Sequence, residues 1–398
     1  MQENKSISLS NLADSKEHLP NTPLHILFLS SWYPSRTHST LGNFVERHAE
    51  TIALQQDVTV LYVTFNTDIT SRFEIEEHVK NRVKCTIVYC KPGIFKWFIK
   101  WRGFKRGLTH LKYSGNFDFD IIHHNVIWKD AWEALTLKRW WRKPLVITEH
   151  WTGYDPARKK EQPLLLRPYA RWVASKADMI CPVSLDLKNK MMAFGLQSKY
   201  RVVPNVVDTN LFYPGHKDQE KRRFLHVSHL IDSHKNVSGI LRTWKKVSDN
   251  NKGIHLQIGG DGDYKMWELE AIKLQIDLST ISFFGEQLPT TIAGMMSQAH
   301  CLLLFSHYEN LPVVIVEAMA AGMFIISTDV GGISEHVNSD RGILVNDNDE
   351  EAFRSAIETV ASDNFWLDAD NLRKYAMDNF SEMAIANAFT EVYSNLLP

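Results

Sequence analysis

The sequence predicts an α/β protein built from two open, mainly parallel sheets with helices on both faces. Three observations carry that prediction. The chain has 398 residues, too many for one ordinary core and enough for two. Short apolar runs recur with little polar alternation, at residues 24–29 (LHILFL), 58–65, 83–89 and 301–306, and strands covered by helices on both sides need apolar side chains on both. Residues 301–337 then read as strand, loop, helix and strand in succession, the alternation that builds a parallel sheet.

Residues 1–22 are polar, rich in Ser, Asn, Lys and Glu, and lack the apolar core of a secretion signal; a loose extension is expected there. A first domain over 23–205 opens with the strand 24–29. A polar loop, 30–40, leads to Gly42 and a helically spaced segment, 44–54. A glycine at a helix start lets the backbone approach a phosphate, and it also serves as a plain turn residue. Strands are expected at 58–65, 83–89, 117–123 and 144–148. Between 94 and 111, Ile94, Trp97, Trp101, Phe104, Leu108 and Leu111 recur at steps of three and four among Lys96, Lys100, Arg102, Lys105 and Arg106. Such an amphipathic cationic helix fits an anionic membrane surface, and it equally fits packing on a sheet. Residues 138–143 (KRWWRK) repeat that composition.

Thr148-Glu149-His150-Trp151 follows the strand 145–147, which puts His150 at a carboxyl end, where α/β sites gather, although a lone histidine is often structural. Beyond residues 180–184 (ICPVS) a second domain is expected over 206–380. There a strand at 223–227 is followed by His229 and Lys235, and strands are expected at 256–260 and 281–285 around a Gly-Asp-Gly turn at 260–262. Gly331 and Gly332 offer further backbone donors. Residues 381–398 have the apolar spacing of a last helix.

The most informative stretch is 306–322. Pro312 suits a helix start, where a missing N–H costs nothing, and Gly322 suits a helix end. Glu309 precedes this helix and Glu317 lies about one and a half turns into it. Free N–H groups beside two carboxylates suit a ligand with one anionic part and several hydroxyls. Spacing alone also fits Glu309 as a cap and Glu317 as a solvated face residue.

Glu309-Asn310-Leu311-Pro312 followed by Glu317-Ala318-Met319-Ala320-Ala321-Gly322 resembles the E-x7-E block of the retaining glycosyltransferases of family 4, and the likeness extends from about residue 24 to the end. The resemblance implies the GT-B fold, two Rossmann-like domains facing across a cleft, with the last helix crossing back to the first. It implies that Glu317 holds the ribose hydroxyls of the donor, and that Glu309 with the backbone of Asn310 and Leu311 lies against the donor sugar. His150 is placed at the transferred sugar, with Glu149 as its neighbour, and Gly42 is placed near the donor phosphates. Lys235 matches the lysine that grips the pyrophosphate, while His229 stands where that family has an arginine, and a half-charged imidazole does not imitate a bidentate guanidinium. Residues 202–208 (VVPNVVD) resemble the family's crossover into the second domain, where Val206 replaces a usual glycine.

Composition excludes several classes. Hydrophobic content of 44% with 23% charged residues describes a globular protein, and no uninterrupted apolar run is long enough to span a bilayer. A net charge of −1 argues against a nucleic-acid partner. Four cysteines without metal-ligand or framework spacing point to a reducing cytoplasm, at the inner face of a membrane if the cationic helix docks there. The D-x-D pattern occurs four times, at 118–120, 261–263, 347–349 and 368–370, which empties it of information, and the resemblance requires no metal or other cofactor. The expected partners are a nucleotide-sugar donor and a saccharide or lipid-linked acceptor, in assembly of a surface polysaccharide or glycolipid. Two other readings stay open: a sugar-nucleotide epimerase of the same architecture, and a non-catalytic, membrane-attached sugar-nucleotide binding module.

Overall fold

The computed structural model describes residues 22–397 except 129, 157, 159–161, 164, 219, 220 and 363; the expected N-terminal extension lies, but for its last residue, outside them. The first sheet has β1 (His25–Ser30), β2 (Asp57–Phe65), β3 (Phe73–Lys80), β4 (Val83–Cys90), β5 (Ile121–Asn125), β6 (Leu145–Glu149) and β7 (Met179–Pro182). Their order is β3-β4-β2-β1-β5-β6-β7. The second has β8 (Arg222–Ser228), β9 (Ile254–Gly260), β10 (Ile281–Phe284), β11 (Cys301–Leu304), β12 (Phe324–Thr328) and β13 (Gly342–Val345), in the order β10-β9-β8-β11-β12-β13. All pairings are parallel except β3 with β4. This is the two-sheet GT-B arrangement.

β3 is absent from the sequence reading because half of FEIEEHVK is charged. It is an edge strand, half exposed, whose acidic side chains keep the open edge from pairing further. Asn81 and Arg82, with φ of 47° and 69°, turn it back into β4 as a two-residue hairpin of the primed type. The strand expected from residue 117 begins only at Ile121, because Asp120 Oδ2 accepts the His25 N–H at 2.9 Å and holds the preceding residues as a loop.

Helices α1 (Asn43–Ile52), α2 (Lys96–Tyr113), α3 (Ala131–Trp141), α4 (Leu166–Ala174) and α5 (Leu185–Phe194) cover the first sheet. α2 corrects the expected stripe. Its buried side is Ile99, Gly103, Phe104, Gly107, Leu108 and Leu111, whereas Ile94 and Trp97 are 95% and 63% exposed. Ile94 precedes the first helical turn, so the three-four spacing there is a coincidence of sequence.

The second sheet carries α6 (Asp232–Lys235), α7 (Val237–Ser248), α8 (Tyr264–Lys273), α9 (Pro289–Gln298), α10 (Val313–Ala320), α11 (Glu350–Ala361) and α12 (Ala369–Phe380). α13 (Glu382–Ser394) returns to the first domain against α1, where Gln56 Nε2 donates to Thr390 Oγ1 at 3.0 Å. The outward and return crossings touch: Val207 N–H donates to Phe380 O at 2.9 Å. Val206 is buried and is not among the residues of positive φ, so a β-branched side chain is accommodated there. One apolar cluster runs unbroken from Leu27 of β1 through Val207 and Phe212 to Ile315 and Met319 of α10, and each sheet has a second cluster on its other face.

The four cysteines are unpaired and buried. His48, His123, His124 and His226 are buried as well. Burial pushes His48, His124 and His226 down to about 4 and His123 well below its ordinary value. These groups stay neutral in the folded chain where the unfolded chain protonates them, so stability is full above pH 6.5 and is lost as pH falls through about 4. The urea midpoint is expected to drop from pH 7 to pH 5; equal midpoints would contradict this account.

Candidate functional site

The carboxyl ends of the two sheets face a shared cavity of about 350 Å³. Phe44, His150, Thr152 and Asn205 line it from the first domain, and His229, Lys235 and residues 309–314 from the second. A strand that ends at a gap leaves its next residue there, which is why His150 after β6 and His229 after β8 reach it.

Glu149 sets the position of His150. It is buried at the end of β6 and accepts from the N–H groups of Ile127, His150 and Trp151, each at 2.9 Å, and from Tyr154 O–H at 3.0 Å. Its oxygens are thus spent on the backbone of the loop and do not reach the cavity. His150 packs its ring 4.5 Å from Phe44 and 5.2 Å from His48. Burial first, then His48 and His123, hold it well below its ordinary value, so it is a neutral imidazole with Nε2 unpartnered. Gly42 is the N-cap of α1 with φ +80°. A Cβ there would lie 2.7 Å from the backbone of Trp32, so the glycine lets the loop close and bring Phe44 to the cavity. Gly42 itself is not part of the wall.

On the other side, Pro312 is the N-cap of α10, one position before the helix, and no side chain caps it. Val313 and Val314, whose N–H groups have no intrahelical partner, line the cavity. Glu309 is buried and forms an ion pair with Lys235. Burial works to raise the Glu309 carboxyl, but the Lys235 ammonium, His234 and hydrogen bonds hold it below the usual range. Asn310 Nδ2 donates to His150 O at 2.5 Å, and Asn205 Nδ2 to Leu311 O at 2.7 Å. Gly331 backs this loop so closely that a Cβ would lie 2.1 Å from Glu309 O.

The structure therefore gathers His150, His229, Lys235, Glu309, Asn310 and Leu311 around one space. Glu317 is not in its wall. It sits on α10 with one carboxylate oxygen 2.6 Å from Arg47 of α1, an ion pair that bridges the domains. Arg47, Asn205 and His234 are not singled out as site residues by the sequence, although Asn205 lies in the crossover 202–208; they matter through contacts between distant segments. Three Asp residues of the D-x-D patterns have local roles: Asp263, Asp349 and Asp368 accept from Met266, Ala352 and Asn371 N–H groups as helix N-caps. Among the described residues no group of three or more His, Cys, Asp or Glu is gathered as metal ligands.

A second cavity, about 510 Å³, opens in the first domain between Trp32, Trp97, Trp128 and Trp132, with Lys100, Asp130 and Glu133 in its wall. Lys100 pairs with Asp130 at 2.6 Å. Trp32, in the wall of this cavity, meets Phe44, in the wall of the first, edge-on at 6.3 Å.

Residues 43–211 match the family model described as glycosyltransferase family 4, and residues 209–379 the one described as glycosyl transferases group 1. A glycogen synthase of Mycobacterium tuberculosis is 23% identical over 288 residues, covering 69% of this chain and 68% of its own. Sucrose-phosphate synthase from Thermosynechococcus elongatus superposes with a TM-score of 0.74 at 18% identity, over 94% of this chain and 99% of its own. Anabaena HepE in complex with UDP-glucose does so at 0.66 and 16%, over 94% and 100%. Between them the two family models account for the chain from residue 43 to residue 379, and the chain belongs to the family 4 glycosyltransferases.

Proposed function

We propose that this glycosyltransferase moves a sugar, with retention of anomeric configuration, from a nucleotide diphosphate to an acceptor hydroxyl. The observation that carries the reading is the Lys235–Glu309 pair beside the uncapped start of α10. The ammonium and the free amides favour charge building on a departing diphosphate, while Glu309, Asn310 and the neutral His150 surround the space where hydroxyls of a transferred sugar would be bound. The acceptor oxygen attacks the anomeric carbon on the face the phosphate leaves, its proton passing to the departing phosphate oxygen. Glu317 reaches the ribose hydroxyls with the oxygen that Arg47 does not hold. The known complex of HepE with UDP-glucose supports a nucleotide-sugar donor here.

The acceptor enters through the tryptophan-walled cavity, whose indoles present flat apolar faces to a sugar ring. A lipid-carried acceptor, in surface polysaccharide or glycolipid assembly, fits the ground beside it. Ile94, Phe95, Trp97 and Phe98 are exposed at the start of α2, Trp140 is exposed on α3 and lies 6.1 Å from Trp101, and lysines and arginines surround them. No helix among the described residues is long and apolar enough to cross a membrane, so attachment would be peripheral. Donor binding needs no metal, a reading supported by the capping roles of Asp263, Asp349 and Asp368.

A thermal-shift screen of UDP-, GDP- and ADP-sugars tests the donor: at a hundred times its Kd a ligand adds about 2.7 kcal/mol to stability, and the shift should persist in EDTA. Glu309→Ala is expected to lower kcat by roughly 10²-fold, and Glu317→Ala to raise donor KM; unchanged kinetics in both would remove the assignment. Release of free nucleotide without any acceptor would favour an epimerase, and an anomerically inverted product would exclude retention. Flotation with anionic liposomes at low salt should carry the protein upward, and Trp97→Ser with Phe98→Ser should reduce it; an unbound wild-type protein would end the membrane reading.

A further inference from the structure

His229 stands at the cavity wall beside Lys235 and Glu309, and a backbone carbonyl decides the direction of its hydrogen bonds. Tyr308 O can only accept and lies 2.8 Å from His234 Nε2, so that nitrogen carries a hydrogen. The His234 ring is stacked on the Tyr308 ring at 4.0 Å and 10°, which fixes its orientation. Burial, then Lys235, pushes His234 down to about 4, so it is neutral at pH 7 and its Nδ1 is bare. His229 Nε2 lies 3.0 Å from that bare nitrogen and must donate to it. A neutral His229 then has no hydrogen for its own Nδ1, which is buried and without a partner. An anionic oxygen brought to this nitrogen would meet a lone pair.

We propose that His229 binds the diphosphate of a nucleotide sugar through Nδ1 and takes up one proton from solvent as it does so. The resulting imidazolium donates to His234 through Nε2 and to a phosphate oxygen through Nδ1, and no other bond is made or broken. The inference rests on the donor reading above. The charged and titratable groups around His229 are Lys235, Glu309, Asp261, His226 and His234. Burial first, and then Lys235, hold the unliganded ring below its ordinary value, while Glu309 and Asp261 work the other way. Lys235 is neutralised by Glu309, so the incoming diphosphate charge is what tips the balance toward the imidazolium. An arginine at this position would be charged throughout and would move no proton.

The test uses the full-length enzyme with UDP-glucose, GDP-mannose and ADP-glucose, whose diphosphates lack the terminal ionisation near pH 6 of a free phosphate monoester. Calorimetric titration at pH 7.5 in buffers of different ionisation enthalpy should show about one proton taken up per nucleotide sugar, with Kd rising about tenfold per pH unit above 7. His229→Arg should bind without uptake and vary less than about twofold over that range. His234→Leu frees His229 to carry its single hydrogen on Nδ1, so binding should persist with uptake well below that of the wild type. Binding without proton exchange in the wild type, or undiminished uptake in His229→Arg, would overturn the proposal and leave the donor reading intact. Failure of every nucleotide sugar to bind between pH 6 and 8.5 would overturn both.

Discussion

The loop between β11 and α10 must bury polar backbone at the meeting of two domains, and the rest of the site depends on how it does so. A buried amide or carbonyl without a partner costs about 1–3 kcal/mol, and here the partners come from both sides of the gap. Asn310 reaches the carbonyl of His150, Asn205 reaches the carbonyl of Leu311, and Gly332 N–H reaches Asn310 O at 2.7 Å. Satisfying these groups draws the end of β6, the crossover segment and the start of α10 into one space. The cavity follows from that pairing, since the segments that meet there are the ones that end strands.

Charges in this region are held as neutral pairs: Lys235 with Glu309, Arg47 with Glu317, Lys100 with Asp130. Removing an ion from water is expensive unless a partner stands close, and each of these charges has one. A ligand then competes with, or shares, a partner already in place. Arg47–Glu317 also ties α1 to α10, so the carboxylate that would meet a ribose is itself part of the contact between domains. His229 is the exception, a half-buried ring at the cavity wall whose Nδ1 has no hydrogen-bond partner.

The tryptophans of the first domain divide into two uses that composition does not separate. Trp101 is packed against Phe104 and Trp132, at 5.7 and 4.6 Å, and helps seat α2 and α3 together. Trp97, Phe98 and Trp140 keep their faces in solvent. Gly103 and Gly107 are the reason: a Cβ at either would press on Cys90 or Leu61, so α2 lies close to the sheet along its middle and leaves its first turn projecting.

Local sequence determined much of the architecture. Doubly covered strands announce themselves as apolar runs, and Gly42, Pro312 and Gly322 punctuate helices because proline and glycine act on the backbone directly. The positions of His150, His229 and Glu309 were legible for the same reason, since each follows a strand recognisable from its own residues. What a side chain does once there was decided by tertiary structure. Glu317 meets Arg47, 270 positions away; Glu149 spends its oxygens on backbone amides; β3 exists because β4 offers it an edge. His229 has its hydrogen assigned by a carbonyl 79 residues later in the chain. Backbone preference is a property of a residue and its neighbours, whereas a hydrogen bond or an ion pair needs a partner that only folding brings near.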